Sequence, residues 1–263
     1  MKNIIFCDID GTIIDGSRGM SKVSNKTRYA FKELQKDSCI VIASGRNKGL
    51  LNEEILSLNP NGFILCNGAY AEINNNALYS YNFTDEAVSM IREVSEKYDG
   101  FSIFETVEDV YVNSLTCEPF IRFMKSWALS LTGFKEGIRN DRYNISMIGF
   151  NDFTPFDKVY EELSPYVNLA RHNGFPSMDV NITGIHKGTG VRKIIEYLDI
   201  PLENTYCFGD GANDLEMLKE VGHPIIMANA DDTLRNFNFE ETDDVLDDGV
   251  YNYLVSHKLI KAQ

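Results

Sequence analysis

Short apolar runs alternate with amphipathic stretches at the start of the chain. Ile4–Cys7, Cys39–Ala43 and Phe63–Cys66 are unbroken apolar runs, as expected for strands that are buried on both faces of a parallel sheet. Between the first two runs, Ser24 can cap a helix that continues to about Lys36. Strands that alternate with helices in this way predict βαβ units and a parallel sheet.

The pattern changes near residue 82. Phe101–Phe104 and Val110–Val112 flank a polar turn and predict a hairpin. Helices are predicted before and after this hairpin, at Asp85–Tyr98 and Cys117–Leu131. The remaining predicted elements are a strand at Ile145–Phe150, a helix at Pro155–Leu163, and strands around Val167–Arg171 and Met178–Ile182.

The strand–helix alternation resumes at Gly184, with a helical stripe after Lys187 and a buried strand at Tyr206–Phe208. We therefore predict an α/β fold with a doubly wound, mainly parallel, Rossmann-like sheet. Its core would comprise residues 1–82 and 184–263, and an α+β domain would be inserted over residues 83–183.

Polar residues and glycines follow the predicted strands or begin the helices after them. They are Asp8 and Asp10, Ser44 and Gly45, Lys187, and Asp210, Asn213 and Asp214. Asp and Gly are also ordinary turn residues. In open α/β sheets, however, ligands bind at the carboxyl ends of the strands, so these positions together predict one site.

The composition restricts the ligand of that site. Lys plus Arg number 25 and Asp plus Glu number 39, a net charge of -14, which argues against nucleic-acid and anionic-membrane partners. A small anion remains possible where a metal and a lysine reverse the local field. The five cysteines are scattered without a C-x-x-C spacing, and the sequence shows no signal peptide or membrane span. We expect a soluble cytoplasmic protein, either a monomer or a small homo-oligomer.

The residue types indicate phosphoryl chemistry. Carboxylates without a histidine or cysteine set favour a hard cation, above all Mg²⁺. Lys187 precedes a glycine-rich helix start, which supplies a positive charge and free N–H groups for a phosphate. Ser44 and Gly45 offer a hydroxyl and an unobstructed N–H. Together these residues predict a phosphoryl pocket with a carboxylate nucleophile.

Four motifs in order resemble the haloacid dehalogenase superfamily of phosphatases, specifically its Cof-type sugar-phosphatase-like branch. They are DIDGT, the serine of ASGR, the lysine of HKGTG, and GDGANDLEML. The resemblance covers both core segments. It implies a phosphoric monoester hydrolase in which the inserted domain is a cap that sets substrate specificity.

The resemblance also implies a role for each motif residue. Asp8 would be the nucleophile, forming an aspartyl-phosphate, and a Mg²⁺ ligand. Asp10 would be the general acid and then the base, with its carbonyl on the metal. Asp210 would be the third metal ligand and Asp214 an outer or water-bridged one. The phosphoryl oxygens would be held by Ser44, Gly45, Lys187 and Asn213.

These inferences predict a Mg²⁺-dependent phosphatase acting on small phosphorylated metabolites, with sugar phosphates as the expected class. Two alternatives remain open at this point. One is a phosphomutase acting on hexose phosphates, which would need a bound bisphosphate. The other is a non-catalytic sensor of phosphometabolites, against which the intact Asp8 and Asp10 argue.

Overall fold

The computed structural model describes residues 2–126, 132–139, 141–172 and 174–263. The described residues form fourteen strands: β1 Ile4–Cys7, β2 Cys39–Ala43, β3 Gly62–Leu65, β4 Tyr70–Ile73, β5 Asn76–Ser80, β6 Phe101–Glu105, β7 Val110–Val112, β8 Phe134–Glu136, β9 Ile145–Gly149, β10 Asn168–Arg171, β11 Ser177–Asn181, β12 Thr205–Gly209, β13 His223–Ile226 and β14 Glu240–Glu241. They also form nine α-helices: α1 Asn25–Leu34, α2 Glu53–Leu56, α3 Asp85–Lys97, α4 Glu118–Ser126, α5 Phe156–Leu163, α6 Lys187–Leu198, α7 Leu215–Leu218, α8 Asp232–Arg235 and α9 Gly249–Ser256.

The chain divides into two compact units. The first unit comprises Met1–Arg46, Leu51–Tyr79 and His186–Gln263. The second comprises Ser80–Ile185 together with the short segment Asn47–Leu50.

Strand β1 lies inside the eight-stranded sheet of the first unit, whose order is β14-β13-β12-β1-β2-β3-β4-β5. It pairs in parallel with β12 and β2, so that Ile4 is opposite both Thr205 and Cys39. All four residues of β1 are fully buried. The strands from β14 to β3 are parallel, and the predicted α/β class with a mainly parallel sheet is confirmed.

The antiparallel edge of this sheet was not predicted from the sequence. Strand β4 pairs antiparallel with β3, and β5 lies next to β4. Between them, Asn74 and Asn75 both have positive φ angles, 49° and 62°, as the central residues of a tight hairpin turn require. The Asn74-Asn75 pair is therefore the sequence feature that indicates a hairpin between β4 and β5. Glu72 concealed it by interrupting the apolar pattern of β4.

Helix α6 packs closely against the sheet of the first unit. Its Val191 and Ile194 are fully buried in the core that includes Ile64 of β3. A Cβ atom at Gly190 would lie 2.6 Å from Cγ2 of Ile64, so only glycine permits this approach of helix to strand. The packing fixes the beginning of the helix, where Lys187 is the first residue.

The second unit contains a six-stranded sheet of order β10-β11-β9-β6-β7-β8. Among the described residues its neighbouring strands pair antiparallel, except for β7 and β8, which are parallel. On one face, Phe104 and Ile148 pack against Ile91 of α3 and Val159 of α5. This core is built from the alternate residues of each strand, as a sheet covered by helices requires.

The opposite face of the same sheet is partly covered by α4. Phe101 and Ile103 of β6 pack with Phe120 and Phe123 of that helix, and the rings of Phe101 and Phe120 meet edge to face at 5.5 Å. This second core is separate from the first, so the sheet is sandwiched between two apolar layers over part of its area.

Most elements of the second unit correspond to predicted ones, including the β6–β7 hairpin. The helix predicted at Cys117–Leu131 appears as α4, and residues 127–131 of that prediction lie outside the described residues. Strand β8 was not predicted. It has three residues, and among the described strands it pairs only with β7.

Within the described part of the chain, no helix combines the length and apolar character needed to cross a membrane.

We expect Ile194→Ala to lower the free energy of unfolding by about 2–5 kcal/mol, because it leaves a cavity between α6 and the sheet. Tyr197→Ala on the same helix is the matched control, since Tyr197 is 60% exposed and its loss should change stability by no more than about 0.5 kcal/mol. Urea unfolding of both variants measures the difference. Equal losses would contradict this account of the core.

Candidate active site

Asp8 directly follows β1, and its backbone N–H continues the sheet by donating to the carbonyl of Phe208 at 3.0 Å. The residue is only 6% exposed. After it, the chain turns sharply, with Gly11 N–H donating to the carbonyl of Ile14 at 2.7 Å. The strand therefore delivers a carboxylate to the carboxyl edge of the sheet and then reverses direction.

Lys187 joins two carboxylates at this edge. Its Nζ donates to Oδ1 of Asp8 at 2.6 Å and to Oδ1 of Asp214 at 2.6 Å. Lys187 is 1% exposed and Asp214 is fully buried. The three side chains are thus removed from water. The cost of burying each of them is offset only by its interaction with the others.

Asp214 also organises the loop that follows β12. Its Oδ2 accepts hydrogen bonds from the backbone N–H groups of Asp210 and Gly211, at 2.9 and 3.0 Å. Both of its oxygens therefore have protein donors, one being Lys187. Asp214 therefore fixes the loop after β12 against Lys187.

Asp210 is held next to the turn that follows β1. Oγ1 of Thr12 donates to Oδ1 of Asp210 at 3.0 Å. Gly11 has a φ angle of +88°, and a Cβ atom there would lie 2.0 Å from Oδ2 of Asp210. Glycine is required at this position both for the backbone conformation and for the approach of the carboxylate.

The cluster carries excess negative charge. One oxygen from each of Asp8, Asp210 and Asp214 lies within 4.8 Å of the others, and Lys187 is the cation between them. Burial raises the pKa of Asp8 to about 7 although Lys187 opposes the rise. Burial and the neighbouring carboxylates raise the pKa of Asp210 to about 8. Burial alone would lower the pKa of Lys187, but Asp214 and Asp8 outweigh it and raise that pKa well above its usual value.

These residues fit a hard divalent cation such as Mg²⁺. All three candidate ligands are carboxylates, the donor type that Mg²⁺ prefers, and a cation would oppose the rise in the pKa values of Asp8 and Asp210 that burial and the neighbouring carboxylates cause. The donor set alone does not identify the metal, since Mn²⁺ takes the same ligands.

Asp10 stands apart from this cluster. Its carboxylate forms a two-point ion pair with Arg46, whose Nη2 and Nε donate to Oδ1 and Oδ2 at 2.6 and 3.0 Å. The Asp10 side chain is 56% exposed. Asp10 was predicted to be a site residue, whereas Arg46 was not. The ASGR motif contains it, yet a side-chain pairing across 36 positions has no local signal.

The predicted phosphate-binding residues are grouped around Asn67. Asn213 Nδ2 donates to Oδ1 of Asn67 at 3.3 Å, and a Cβ at Gly45 would lie 3.0 Å from the same oxygen. Ser44 is 2% exposed, and its hydroxyl accepts from the N–H of Arg46 at 3.2 Å. The first unit therefore brings three of the predicted residues into one neighbourhood, through an asparagine to which the sequence analysis assigned no role.

Comparison with known proteins places this site in a family. The chain matches the model of the haloacid dehalogenase-like hydrolases over residues 5–254. It is 28% identical over 250 residues to the putative phosphatase YkrA of Bacillus subtilis (strain 168), covering 94% of both chains. It is 26% identical over 251 residues to the 5-amino-6-(5-phospho-D-ribitylamino)uracil phosphatase YcsE of the same organism, covering 94% of this chain and 92% of that one.

A solved structure agrees with these matches. BT1666 from Bacteroides thetaiotaomicron, described among the phosphatases of the haloalkanoate (HAD) superfamily, aligns with a TM-score of 0.85 at 25% identity. The alignment covers 99% of this chain and 96% of that one. The chain belongs to the haloacid dehalogenase-like hydrolase family, as its motifs predicted, and its enzyme class is that of a phosphatase.

The raised pKa values predict how the stability of the metal-free protein depends on pH. Folded Asp8 and Asp210 keep their protons up to pH values of about 7 and 8, whereas unfolded aspartate loses its proton near pH ~4. The contribution of these two groups to the free energy of unfolding should therefore be complete below pH ~4 and should be lost as the pH rises toward 8. The slope should reach about 1.4 kcal/mol per pH unit for each titrating group.

Urea unfolding at a series of pH values, with a chelator or with Mg²⁺, measures this effect. Mg²⁺ should flatten the profile and stabilise the protein most at high pH. Asp210→Asn should remove part of the slope, and Asp199→Asn, at an exposed helix end, should leave it intact. An unchanged slope in Asp210→Asn would refute the assignment.

Proposed function

We propose that the protein is a Mg²⁺-dependent phosphatase of small phosphorylated metabolites, chiefly sugar or sugar-alcohol phosphates, and that Asp8 carries the phosphoryl group as an aspartyl-phosphate. The observation that supports this most is the buried group formed by Asp8, Lys187, Asp214 and Asp210. It combines a carboxylate, a cation that is fixed to it, and acidic ligands for a metal.

Asp8 is proposed as the nucleophile because it lies at the sheet edge with one oxygen held by Lys187. A carboxylate that approaches a phosphate dianion is repelled by about 4 kcal/mol per charge pair at 4 Å and an effective dielectric of 20. Lys187 offsets part of this repulsion. Bound Mg²⁺, held by Asp8, the Asp10 carbonyl and Asp210 with Asp214 as their support, would offset the remainder and polarise the phosphoryl oxygens.

Asp10 is proposed as the general acid and then the base. It must give a proton to the leaving oxygen and later take one from the attacking water. In the structure Arg46 donates to both carboxylate oxygens of Asp10. Asp10 therefore has to leave Arg46 before it can contact the leaving oxygen, so we assign Arg46 the role of holding Asp10 between turnovers.

Ser44, Gly45, Lys187 and Asn213 are proposed to hold the phosphoryl oxygens. Ser44 and Asn213 supply neutral donors, and Gly45 supplies a backbone N–H without a side chain. Lys187 supplies the charge. Such donors stabilise the transition state because charge spreads over the phosphoryl oxygens as the bond to the leaving group breaks.

The second unit, corresponding to the inserted segment 83–183, is proposed to select the metabolite. The name of the relative YcsE includes a phosphorylated ribityl chain, which supports a substrate with a phosphate on a hydroxylated carbon chain. Five cysteines without disulfides fit a reducing compartment such as the cytoplasm.

Asp8→Asn should lower turnover to below about 1% of the wild-type value, because an amide neither attacks phosphorus nor binds a cation as an anion. Phosphate release from p-nitrophenyl phosphate, with and without Mg²⁺, measures this. Asp199→Asn is the matched control. Turnover near the wild-type level would exclude Asp8 as the nucleophile, and interconversion of hexose phosphates without release would indicate a phosphomutase.

Asp10→Asn should reduce turnover of a sugar phosphate by roughly 10²–10⁴. The reduction should be much smaller for p-nitrophenyl phosphate, whose leaving group departs without a proton. The ratio of the two rates, in variant and wild type, is the measurement. If both substrates lost activity equally, Asp10 would not be the acid.

A further inference from the structure

Strand β3 of the first unit is followed by three consecutive residues with a left-handed backbone. Cys66, Asn67 and Gly68 have φ angles of 53°, 50° and 96°. Glycine adopts such angles freely and asparagine tolerates them, whereas a cysteine adopts them only at a cost. Strain of this kind persists where the surrounding structure fixes it, and it is concentrated at functional sites. The turn therefore calls for a functional explanation.

Main-chain hydrogen bonds hold this turn against the serine motif. The N–H of Cys66 donates to the carbonyl of Arg46 at 3.0 Å, and the N–H of Asn67 donates to the carbonyl of Ser44 at 3.2 Å. A Cβ atom at Gly45 would lie 3.0 Å from Oδ1 of Asn67. The backbone of the turn thus carries the Asn67 amide to a fixed place beside two of the residues proposed to hold the phosphoryl group.

The same turn contacts the beginning of α6. A Cβ atom at Gly68 would lie 2.0 Å from the carbonyl oxygen of His186 and 2.8 Å from the backbone nitrogen of Lys187. The carbonyl of Gly68 also accepts a hydrogen bond from the hydroxyl of Tyr79 at 2.9 Å. The turn is therefore fixed from a second side, at the residue that supplies the positive charge of the site.

The Asn67 side chain reaches the loop after β12. Its Oδ1 accepts a hydrogen bond from Nδ2 of Asn213 at 3.3 Å. Oδ1 of Asn213 lies instead beside Gly211, where a Cβ atom would be 2.7 Å away from it. Because Nδ2 carries two hydrogens, the bond to Asn67 occupies one and leaves the other for a ligand.

An amide that is not held can present either of its ends. Asn213 is exposed, and the last torsion of asparagine has a broad, roughly two-fold preference. An Nδ2 turned toward a phosphoryl oxygen stabilises the charge that develops there, whereas an Oδ1 turned the same way repels it. Catalysis therefore depends on which end of the Asn213 amide faces the phosphoryl group.

We propose that Asn67 is a positioning residue for phosphoryl transfer, whose Oδ1 holds the Asn213 amide so that Nδ2 faces the phosphoryl oxygens. This inference rests on the proposed phosphatase function and adds a residue to it. The strained turn places the Asn67 oxygen, and Asn67 acts through Asn213 without contacting the reacting atoms.

Asn67→Gly removes the amide and keeps the rest of the turn, because glycine retains the N–H that binds Ser44 and adopts a φ of 50° without strain. We expect kcat/KM for p-nitrophenyl phosphate to fall about 10–100-fold, the range for a misplaced catalytic contact. The half-saturating Mg²⁺ concentration should change less than about twofold, since other groups hold Asp8 and Asp210.

Asn74→Gly is the matched control. Asn74 has nearly the same φ angle, 49°, but it is exposed in the hairpin turn between β4 and β5. The same substitution there should leave kcat/KM within about twofold of the wild-type value. A loss as large as that of Asn67→Gly would contradict a specific role for Asn67.

Asn67→Ala separates positioning from stability. It removes the same amide but puts a Cβ-bearing residue without a polar side chain into the left-handed turn, so its urea midpoint should be lower than that of Asn67→Gly. Both variants should nevertheless lose the same factor in kcat/KM, because the rate depends on the amide. A rate that followed the urea midpoint instead would show a merely structural role and overturn the inference.

The decisive measurement combines Asn67→Gly with Asn213→Ala. Asn213→Ala alone should lower kcat/KM at least as much as Asn67→Gly. In the Asn213→Ala background, Asn67→Gly should lower it further by less than about threefold, because no amide remains to be held. Losses that multiply would show that Asn67 does not act through Asn213, and full activity of Asn67→Gly would also overturn the inference.

Binding of orthophosphate distinguishes this inference from the proposed function. If the wild type released no phosphate from p-nitrophenyl phosphate or sugar phosphates in Mg²⁺, the proposed function would fail. The same variants would then be compared by their affinity for orthophosphate, measured by calorimetry. Losses of affinity that do not multiply would still support the role of Asn67, and losses that multiply would overturn it. A wild type that bound no orthophosphate would overturn both.

Discussion

The hydrogen bonds from Lys187 to Asp8 and Asp214 are the interaction on which the rest of the first unit depends. Burying one ammonium and two carboxylates is costly, and it is tolerated only while the three stay together, since loss of one partner typically costs 3–5 kcal/mol. The ends of β1 and β12 and the beginning of α6 must therefore keep a fixed spacing. The two bonds of 2.6 Å record that spacing.

Packing at a distance from the charges maintains this arrangement. Gly190 allows α6 to lie directly on Ile64, and that contact determines where Lys187 begins the helix. On the other side, Gly11 lets the turn after β1 pass beside Asp210. Each glycine allows its backbone to lie close to another part of the first unit, and this close packing brings the charged groups together. A site with excess negative charge is in this way built into the apolar core before any metal or substrate is bound.

The positions of some site residues could be predicted from the sequence because they follow from the order of the sheet alone. Asp8 and Asp210 follow parallel strands, and the carboxyl ends of such strands share one edge, so their proximity was predictable. Arg46 and Thr12 were not, because their pairing with Asp10 and Asp210 depends on side-chain rotamers across distant parts of the chain. Strand β8 was missed because three residues carry no periodicity and pairing with β7 alone defines it. The roles of the site residues stay predictions.

Glu105 shows why some buried polar groups have no sequence signal. At the end of Phe101–Glu105 it resembles the polar residue that normally ends a strand, and only the fold shows that its Oε2 is buried without a hydrogen-bond partner among the described residues. Its neighbour in space, Asn47, is joined by one peptide bond to Arg46, which holds Asp10. Arg46 belongs to the first unit and Asn47 to the second. Arg46, which pairs with Asp10, and Asn47, whose backbone N–H binds Glu105, are therefore consecutive in the sequence, and no periodicity links either residue to its distant partner.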